Sequence, residues 1–264
     1  MVTYDGASIF GAAVQFQHLP HPSAHQVNTF FGVSGSQSLF GGGRGRMFLI
    51  RGILVGTTTA DLNAAGFAVE NYPYYDAAGK GVNFDAMKAC LAGLPAGSII
   101  VLHACCHNPT GADLSEAQWQ EVVDTIRARG LVAFIDMAYQ GFADGIEPDA
   151  LALKLFAASG LQFFVSSSFS KSFSLYGERV GALSIVTASK DESARVMSQV
   201  KRVVRTNYSN PPTHGGAVVA AVLSSPELRK QWEEELAGMR DRIRAMRTSL
   251  VASLKARGVK QDFS

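Results

Sequence analysis

A regular pattern of hydrophobic and polar residues begins at about Asn63 and continues to the end of the chain. Short, nearly continuous apolar runs are typical of strands covered on both faces, whereas apolar residues three and four apart are typical of helices. These patterns predict strands at residues 67–72, 98–106, 131–135, 161–165 and 180–186. They predict helices at residues 84–91, 115–130, 191–205, 215–223 and 225–258.

Several helix ends carry recognisable signals. Ser115 and Gln118 form a capping box, and Gly130 is a typical stop for the same helix. Pro226 suits the first turn of the last helix, because a proline there removes no needed hydrogen bond. That helix would be roughly 45 Å long for about 30 residues. We expect it to bridge to another part of the protein.

The order strand, helix, strand with short links predicts parallel pairing and right-handed crossovers. The strand ends that carry Asn108 and Asp136 should therefore open on the same edge of one sheet. In open α/β sheets this edge is where ligands bind.

Residues 1–62 differ from the rest of the chain. They hold five charged residues, no lysine and no glutamate, and they show no sustained helical or strand period. We assign no secondary structure to this segment from its sequence.

Two motifs in this segment allow more than one interpretation. His18, His21 and His25 are spaced as metal ligands can be, but prolines interrupt them and no acidic residue is near. We therefore predict no metal site. The run Gly41–Arg46 has the composition of an anion or RNA contact, but a short Gly/Arg run is far more often a flexible loop.

Composition narrows the possible functions. At 264 residues with 47% hydrophobic residues, the chain can form one large α/β domain or two small ones. A net charge of +2 gives no reason to expect nucleic acid or a membrane as partner. The three cysteines lack metal-type spacing, and the chain has neither a signal peptide nor a transmembrane run. We expect a cytoplasmic protein with reduced core thiols.

The stretch from Ser166 to Arg179 places Lys171 among serines. Hydroxyls and an arginine suit a phosphate, and a lysine beside them can become a nucleophile toward an aldehyde. A Ser-rich surface loop is the alternative. Ser168-x-x-Lys171 also fits the nucleophile motif of serine β-lactamases, but the companion motifs Ser-Asp-Asn and Lys-Thr-Gly do not occur.

Polar residues at two strand ends strengthen the first reading. A carboxylate such as Asp136 at the end of a buried strand needs a donor, and a protonated ring nitrogen supplies one. Each of these residues also has a purely structural interpretation: Asp136 as a helix cap, Asn108 as part of an Asn-Pro turn and Tyr139 as part of the core. Together with Lys171 they indicate a site for a ring with an aldehyde and a phosphate.

The chain resembles the class I aspartate and aromatic amino-acid aminotransferases, which are fold-type-I enzymes that use pyridoxal 5′-phosphate (PLP). The resemblance predicts an α/β fold, with a large domain built on a mostly parallel sheet flanked by helices and the start of a small C-terminal domain. Four motifs carry the likeness: His107-Asn108-Pro109-Thr110-Gly111, Asp136-x-x-Tyr139-Gln140-Gly141-Phe142, Ser168-Phe169-Ser170-Lys171 continuing to Gly181, and Arg205-x-Asn207-Tyr208-Ser209-Asn210-Pro211-Pro212.

The resemblance also implies roles for these residues. Lys171 would form a Schiff base with the cofactor and later act as the proton-transfer base, and Asp136 would pair with the pyridinium nitrogen. The remaining cofactor contacts would come from two groups: Asn108 and Tyr139 for the phenolic oxygen, and Ser168, Ser170 and Arg179 for the phosphate.

Arg205 matches the family arginine that reaches into the neighbouring subunit to bind the side-chain carboxylate of a dicarboxylic substrate. The resemblance thus implies a homodimer with shared active sites. The implied reaction moves an amino group between an aromatic or acidic amino acid and a 2-keto acid such as 2-oxoglutarate. The residues around Ala104–His107 are more similar to those of bacterial aromatic aminotransferases, which favours the aromatic branch slightly.

The chain also departs from the family pattern. We expect an atypical segment at 1–62, a PLP-binding large domain at 63–225, and a long helix at 226–264 that leads to a truncated small domain. Neither the family's N-terminal phosphate cup nor its α-carboxylate arginine is found, which suggests a fragment or a shifted reading frame. The rival hypothesis is a catalytically inactive relic that at most binds PLP or dimerises. A serine hydrolase using Ser168 and Lys171 is a third.

Overall fold

The computed structural model describes residues 68–207 and 209–261, together with the backbone of four short strands in the first 51 residues. Two compact units are present: Met1–Tyr72 with Thr187–Pro212, and Pro73–Val186 with Thr213–Ser264. The domain boundaries predicted after residues 62 and 225 stay predictions. The histidine motif (His18, His21, His25) and the run Gly41–Arg46 lie outside the described residues.

Secondary structure covers most of the described residues. The strands are β1 (Val14–Gln17), β2 (Gln26–Thr29), β3 (Gln37–Phe40), β4 (Phe48–Arg51), β5 (Tyr75–Asp76), β6 (Gly81–Val82), β7 (Ile99–His103), β8 (Val132–Met137), β9 (Phe163–Ser168) and β10 (Gly181–Val186). The helices are α1 (Phe84–Gly93), α2 (Glu116–Arg129), α3 (Leu151–Ser159), α4 (Lys190–Asn207), α5 (Thr213–Ser224) and α6 (Pro226–Ala256), and a 3-10 helix, Pro148–Ala150, precedes α3.

In the first unit, β1 pairs with β2 and β3 pairs with β4, both antiparallel. Helix α4 belongs to the same unit and carries Asp191 and Glu192 in its first turn and Arg205 in its last. These charges complement the helix dipole, which favours acidic groups at the start and basic groups at the end.

The second unit is built on a sheet of four strands in the order β10, β9, β8, β7. Strands β7, β8 and β9 are parallel, and β10 joins β9 antiparallel. The predicted mostly parallel sheet is therefore confirmed. Helix α2 connects β7 to β8, and α3 connects β8 to β9, so that the carboxyl ends of the three strands share one edge.

The core lies between one face of this sheet and the helices. Strand β7 alternates between buried and more exposed positions, and Ile100 and Leu102 point inward. Phe156 of α3 packs against Trp119 and Phe163, with ring centroids 6.5 and 5.4 Å apart. The other fully buried large side chains are Met87, Leu91, Ile126, Ile135, Leu236, Val122 and Val123.

The end signals of α2 act as predicted. The Ser115 hydroxyl accepts from the Gln118 amide, and the Gln118 side chain accepts from the Ser115 amide. Gly130 ends the helix with φ of 63°, a left-handed conformation that glycine adopts without strain. At α1, Asn83 occupies the cap position, but its side chain makes no capping hydrogen bond.

One predicted strand is wrong. Residues 68–72 form no strand in the described part of the chain, and the nearest pairing is the short β5–β6 hairpin. Alternating apolar residues predict an exposed and a buried face, but a strand also needs a neighbour with free backbone groups. The strand predicted at 98–106 is shorter than expected, because β7 ends at His103 and the chain turns toward Asp113.

Helix α6 is 31 residues long, as its apolar spacing predicted. Its N-terminal part packs on the rest of the second unit: Trp232 stacks on Phe173 with centroids 4.5 Å apart, and Leu236 is buried. Farther along, Ile243, Met246 and Leu250 are exposed. None of the helices in the described ranges is apolar over a length that would cross a membrane.

The loop after β8 is fixed by a single carboxylate. Asp149 is 5% exposed, and its two oxygens accept from the backbone amides of Gly141, Ala143, Asp144 and Gly145 at 2.8 to 3.3 Å. From α6, Arg240 donates to the Gly141 carbonyl at 2.7 Å. Gly141 has φ of 95°, and a side chain there would collide with Leu236. This loop begins directly after Tyr139.

We expect Asp149→Ala to lower the free energy of unfolding by about 3 kcal/mol, because it leaves several backbone amides without their buried acceptor. Urea unfolding followed by circular dichroism measures the change. Asp124→Ala removes an exposed aspartate bonded to Gln120 and Arg127, and it should cost about 0.5 kcal/mol or less. Equal effects of the two substitutions would contradict the role given to Asp149.

Candidate active site

Three polar side chains stand in one row across the carboxyl ends of the parallel strands. His103 of β7 is the register partner of Asp136 in β8, and Asp136 is the register partner of Ser166 in β9. Register partners on adjacent strands point to the same face of a sheet. The row therefore places a histidine, a carboxylate and a hydroxyl side by side.

The carboxylate of Asp136 is half-buried and bonded to one neighbour. Ser166 Oγ lies 2.9 Å from Asp136 Oδ1, and the hydroxyl must be the donor because an ionised carboxylate only accepts. Across residues 68–207 and 209–261, no other side chain donates to this carboxylate. The second oxygen is thus available for a donor other than the side chains of the described residues.

The turn after β7 fixes the position of Asn108. Asp113 accepts from the amides of Cys106 and His107 at 2.6 and 2.8 Å, which closes the loop back on itself. The backbone amide of Asn108 donates to His103 Nδ1 at 3.3 Å. These bonds hold the backbone of Asn108 beside the strand end, and its side chain remains free to reach Tyr139.

An aromatic stack supports the same turn. The rings of Tyr74 and His107 are stacked with centroids 3.9 Å apart, and His103 lies 4.6 Å from His107. His107 Nδ1 also hydrogen-bonds Thr110 Oγ1 at 2.8 Å. Burial, and secondarily the neighbouring His103, lower the pKa of His107, while Asp113 opposes the shift. The ring is therefore held mainly in its neutral form.

Tyr139 joins the two predicted halves of the site. Its hydroxyl accepts from Asn108 Nδ2 at 3.4 Å, and Lys171 Nζ lies 4.8 Å from the centroid of its ring. A cation over an aromatic face is attracted by the ring quadrupole. The structure thus brings Asn108, Tyr139 and Lys171 together from three separate loops.

The segment that carries Lys171 is a compact turn between β9 and β10. Phe169 donates its amide to the Val180 carbonyl at 3.2 Å, and the Ser174 amide donates to the Lys171 carbonyl at 3.1 Å. Trp232 Nε1 donates to the Ser172 carbonyl at 2.7 Å. The turn is therefore anchored on both sides of the lysine, which fixes where its side chain begins.

The three residues predicted to hold a phosphate lie on the same turn but are only partly in contact. The Ser170 amide donates to Ser168 Oγ at 3.2 Å. Ser170 is 7% exposed, and its hydroxyl has no hydrogen-bond partner among the described residues. Arg179 donates to the Tyr176 carbonyl at 3.1 Å and bonds neither serine in the part of the chain described. A buried hydroxyl without a partner indicates a missing acceptor or donor.

Arg205 belongs to the first unit and is described within it. It occupies the last turn of α4, and its guanidinium donates to the Ser209 hydroxyl four residues later. Ser209 has φ of 67°, a left-handed conformation, and the chain bends at this residue. This bond ties the arginine to the turn that follows it.

The hydrogen bond that a Ser-Lys hydrolase needs is not formed. Among the described residues, Ser168 Oγ bonds the Ser170 amide, and Lys171 Nζ lies over the Tyr139 ring. In the row of His103, Asp136 and Ser166, the hydroxyl bonds the carboxylate in the middle, whereas a hydrolytic triad needs it on the histidine. Neither arrangement activates a serine.

One group of possible metal ligands occurs in the described ranges. The ligand atoms of Cys105, Cys106 and Asp149 lie within 4.8 Å of one another. The Asp149 carboxylate already accepts four backbone amides. A hydrogen bond with Cys106, together with burial, raises the pKa of Cys105 and keeps its thiol protonated. Metals bind the thiolate, so this group does not suit one.

Sequence reasoning missed Ser166, His103 and Tyr74 as contributors to the site. The strand period alone identifies Ser166, because it lies two residues before Ser168 and so on the same face. His103 requires the register between β7 and β8. The stacking of Tyr74 on His107 had no signal in the sequence, since the two are brought together by the fold of the loop.

The sequence model of the family described as Aminotransferase class I and II matches residues 44–263. The match begins upstream of Asn63, the first residue after the segment predicted to be atypical. Part of the segment predicted to be atypical therefore aligns with the family.

Three similar proteins illustrate the likeness. An aspartate aminotransferase of Pseudomonas aeruginosa is 68% identical over 76% of this chain and 50% of its own length. Aspartate aminotransferase 1 of Medicago sativa is 43% identical over 97% of the chain and 62% of its own length. The crystal structure of an aromatic-amino-acid aminotransferase from Burkholderia pseudomallei, covalently bound to pyridoxal phosphate, is 68% identical over 77% of the chain and 51% of its own, with a TM-score of 0.75.

The structural likeness confirms the predicted fold class, the α/β fold of fold-type-I transferases. The chain spans about half the length of most of the curated relatives it matches.

The lowered pKa of His107 predicts a pH dependence of stability. The pKa of His107 in the folded protein lies below the ordinary 6.5. Between these two pKa values the unfolded chain therefore binds more protons than the folded one. Stability should therefore fall from about pH 6.5 downward until the folded value is passed. His107→Gln should flatten this part of the curve, measured as urea midpoints at several pH values. Identical curves for parent and variant would refute the assignment.

Proposed function

Because this chain belongs to the aminotransferase class I and II family, we propose that it moves an amino group between an amino acid and a 2-keto acid, using PLP as a Schiff base on Lys171. The amino donor would be an aromatic or acidic amino acid, and the acceptor a 2-keto acid such as 2-oxoglutarate. One observation carries this proposal: Lys171 and Asn108 both contact Tyr139.

The residues present fit the chemical groups of PLP. The free oxygen of Asp136 suits the protonated ring nitrogen, and the pair Asn108 and Tyr139 suits the phenolic oxygen. A phosphate oxygen would give the buried Ser170 hydroxyl the partner that it lacks in the described structure. Ser168 and Arg179 would complete that site. The solved relative that binds pyridoxal phosphate covalently supports the same cofactor here.

PLP supplies an electron-accepting ring, which stabilises negative charge at the substrate α-carbon. The chain's own residues do the rest. Asp136 would bind the ring nitrogen, and Tyr139 and Asn108 would bind the phenolic oxygen. With substrate bound, the Nζ of Lys171 would be released to accept the proton from the substrate α-carbon.

Substrate choice and assembly extend the proposal. Arg205, fixed to Ser209 at the end of α4, would bind the side-chain carboxylate of an acidic substrate in a neighbouring subunit. This role implies a homodimer. The related proteins bear both aspartate and aromatic-amino-acid aminotransferase names, in keeping with a site that takes either class.

The rival hypothesis is a protein that binds PLP or dimerises without turnover. The observation behind it is that the chain spans about half the length of most of its matched relatives. Cofactor binding and transamination are therefore tested separately.

We expect the protein to trap PLP covalently when borohydride is added, because reduction converts the Schiff base into a stable amine. Intact mass should show one adduct, and peptide mapping should place it on Lys171. Lys171→Ala should abolish the adduct, and so should Lys171→Arg, which keeps the charge but cannot form the bond. Lys154→Ala removes an exposed surface lysine and should leave trapping unchanged. An adduct that survives on Lys171→Ala would contradict the assignment.

Turnover decides between the enzyme and the rival hypothesis. With PLP bound, we expect a keto acid to form from phenylalanine, tyrosine or aspartate when 2-oxoglutarate is present, with glutamate as the second product. Coupled assays or chromatography measure both. Trapping on Lys171 without any keto acid would favour the inactive protein and reject transamination by this chain.

A further inference from the structure

Ser166 stands in a position that the proposed cofactor contacts do not include. It is the register partner of Asp136 across β8 and β9, so the two side chains emerge next to each other from the same face. Its hydroxyl donates to Asp136 Oδ1 at 2.9 Å. Ser168, two residues later on the same face, belongs to the predicted phosphate group, so Ser166 stands between the phosphate side and the carboxylate.

The other neighbours of Asp136 leave this contact to Ser166. His103, the register partner on the opposite side, accepts the Asn108 amide at Nδ1, and no bond joins His103 to Asp136 in the described structure. The backbone carbonyl of Asp136 accepts from the Ala104 amide, which holds the main chain but not the side chain. Among the described residues, the orientation of the carboxylate thus depends on one hydroxyl.

We propose that Ser166 is a positioning residue for cofactor binding: its hydroxyl holds one oxygen of Asp136 and thereby aims the other at the pyridinium nitrogen of PLP. This inference rests on the proposed function. A half-buried carboxylate with a single donor can rotate about its terminal torsion once that donor is lost, because the well of this torsion is broad. Fixing the carboxylate in advance removes that ordering cost from cofactor binding.

The test compares PLP dissociation constants, measured by absorbance titration of the cofactor-free protein. Losing this hydrogen bond should raise the constant roughly five- to tenfold in Ser166→Ala, which is the net contribution of an ordinary hydrogen bond. Ser166→Thr keeps a hydroxyl and should stay within about twofold of the parent. Ser167→Ala is the matched control, because strand alternation turns Ser167 to the opposite face, and it should bind PLP as the parent does. Thermal unfolding of each cofactor-free variant checks that the fold is retained.

A second measurement separates positioning from a general effect on the strand. In an Asp136→Ala background, Ser166→Ala should cause no further loss of PLP affinity, because the hydroxyl has no carboxylate left to orient. A further multiplicative loss there would overturn the inference. So would parent-like binding by Ser166→Ala, or equal weakening by Ser166→Thr or Ser167→Ala.

The two proposals fail in distinguishable ways. If the parent protein gives no borohydride adduct on Lys171, the proposed function falls and this inference falls with it. If the parent gives the adduct and the Ser166 variants bind PLP as the parent does, only the role of Ser166 is rejected.

Discussion

Parallel pairing of β7, β8 and β9 is the constraint on which the site depends. Because the three strands run in the same direction, their carboxyl ends meet at one edge, and the polar residue that ends each strand is brought beside the next. If β9 ran antiparallel to β7 and β8, Asn108 and Lys171 would lie at opposite ends of the sheet. The antiparallel strand β10 is confined to the edge beyond β9, where it closes the turn that carries Lys171.

Strand ends alone would leave long, irregular loops, and carboxylates that accept several backbone amides make them rigid. Asp113 accepts two amides in the turn before Asn108, and Asp149 accepts four in the loop after Tyr139. Each carboxylate replaces the sheet as the partner of backbone groups that would otherwise be unpaired. Helix α6 adds Arg240 to the second loop, so this helix contributes to the placement of Tyr139 without touching it. Rigid loops of this kind place side chains for binding at little further entropic cost.

Much of the fold was predictable, and the errors have a common cause. Five of the six helices in the described residues were found because their spacing and their end signals are local, as Ser115 and Gly130 show. Helix α3 (Leu151–Ser159) was not predicted, and no side chain caps its first residue. The strand expected at 67–72 failed because apolar alternation does not say whether a partner strand is present. The end of β7 was placed too late for a related reason, since Asp113, ten positions beyond His103, turns the chain away. The position of Arg179 among the phosphate residues stays a prediction.

The sequence by itself determined the fold class, the family, and the residue types at the strand ends, because strand and helix periods are local and the four motifs are contiguous. Only the tertiary structure decided how these residues meet: that Tyr139 lies between Asn108 and Lys171, that His107 stacks on Tyr74, and that Ser166 bonds Asp136. These contacts join residues about 30 or more positions apart. Strand register and loop packing set such contacts, and neither follows from the local sequence alone.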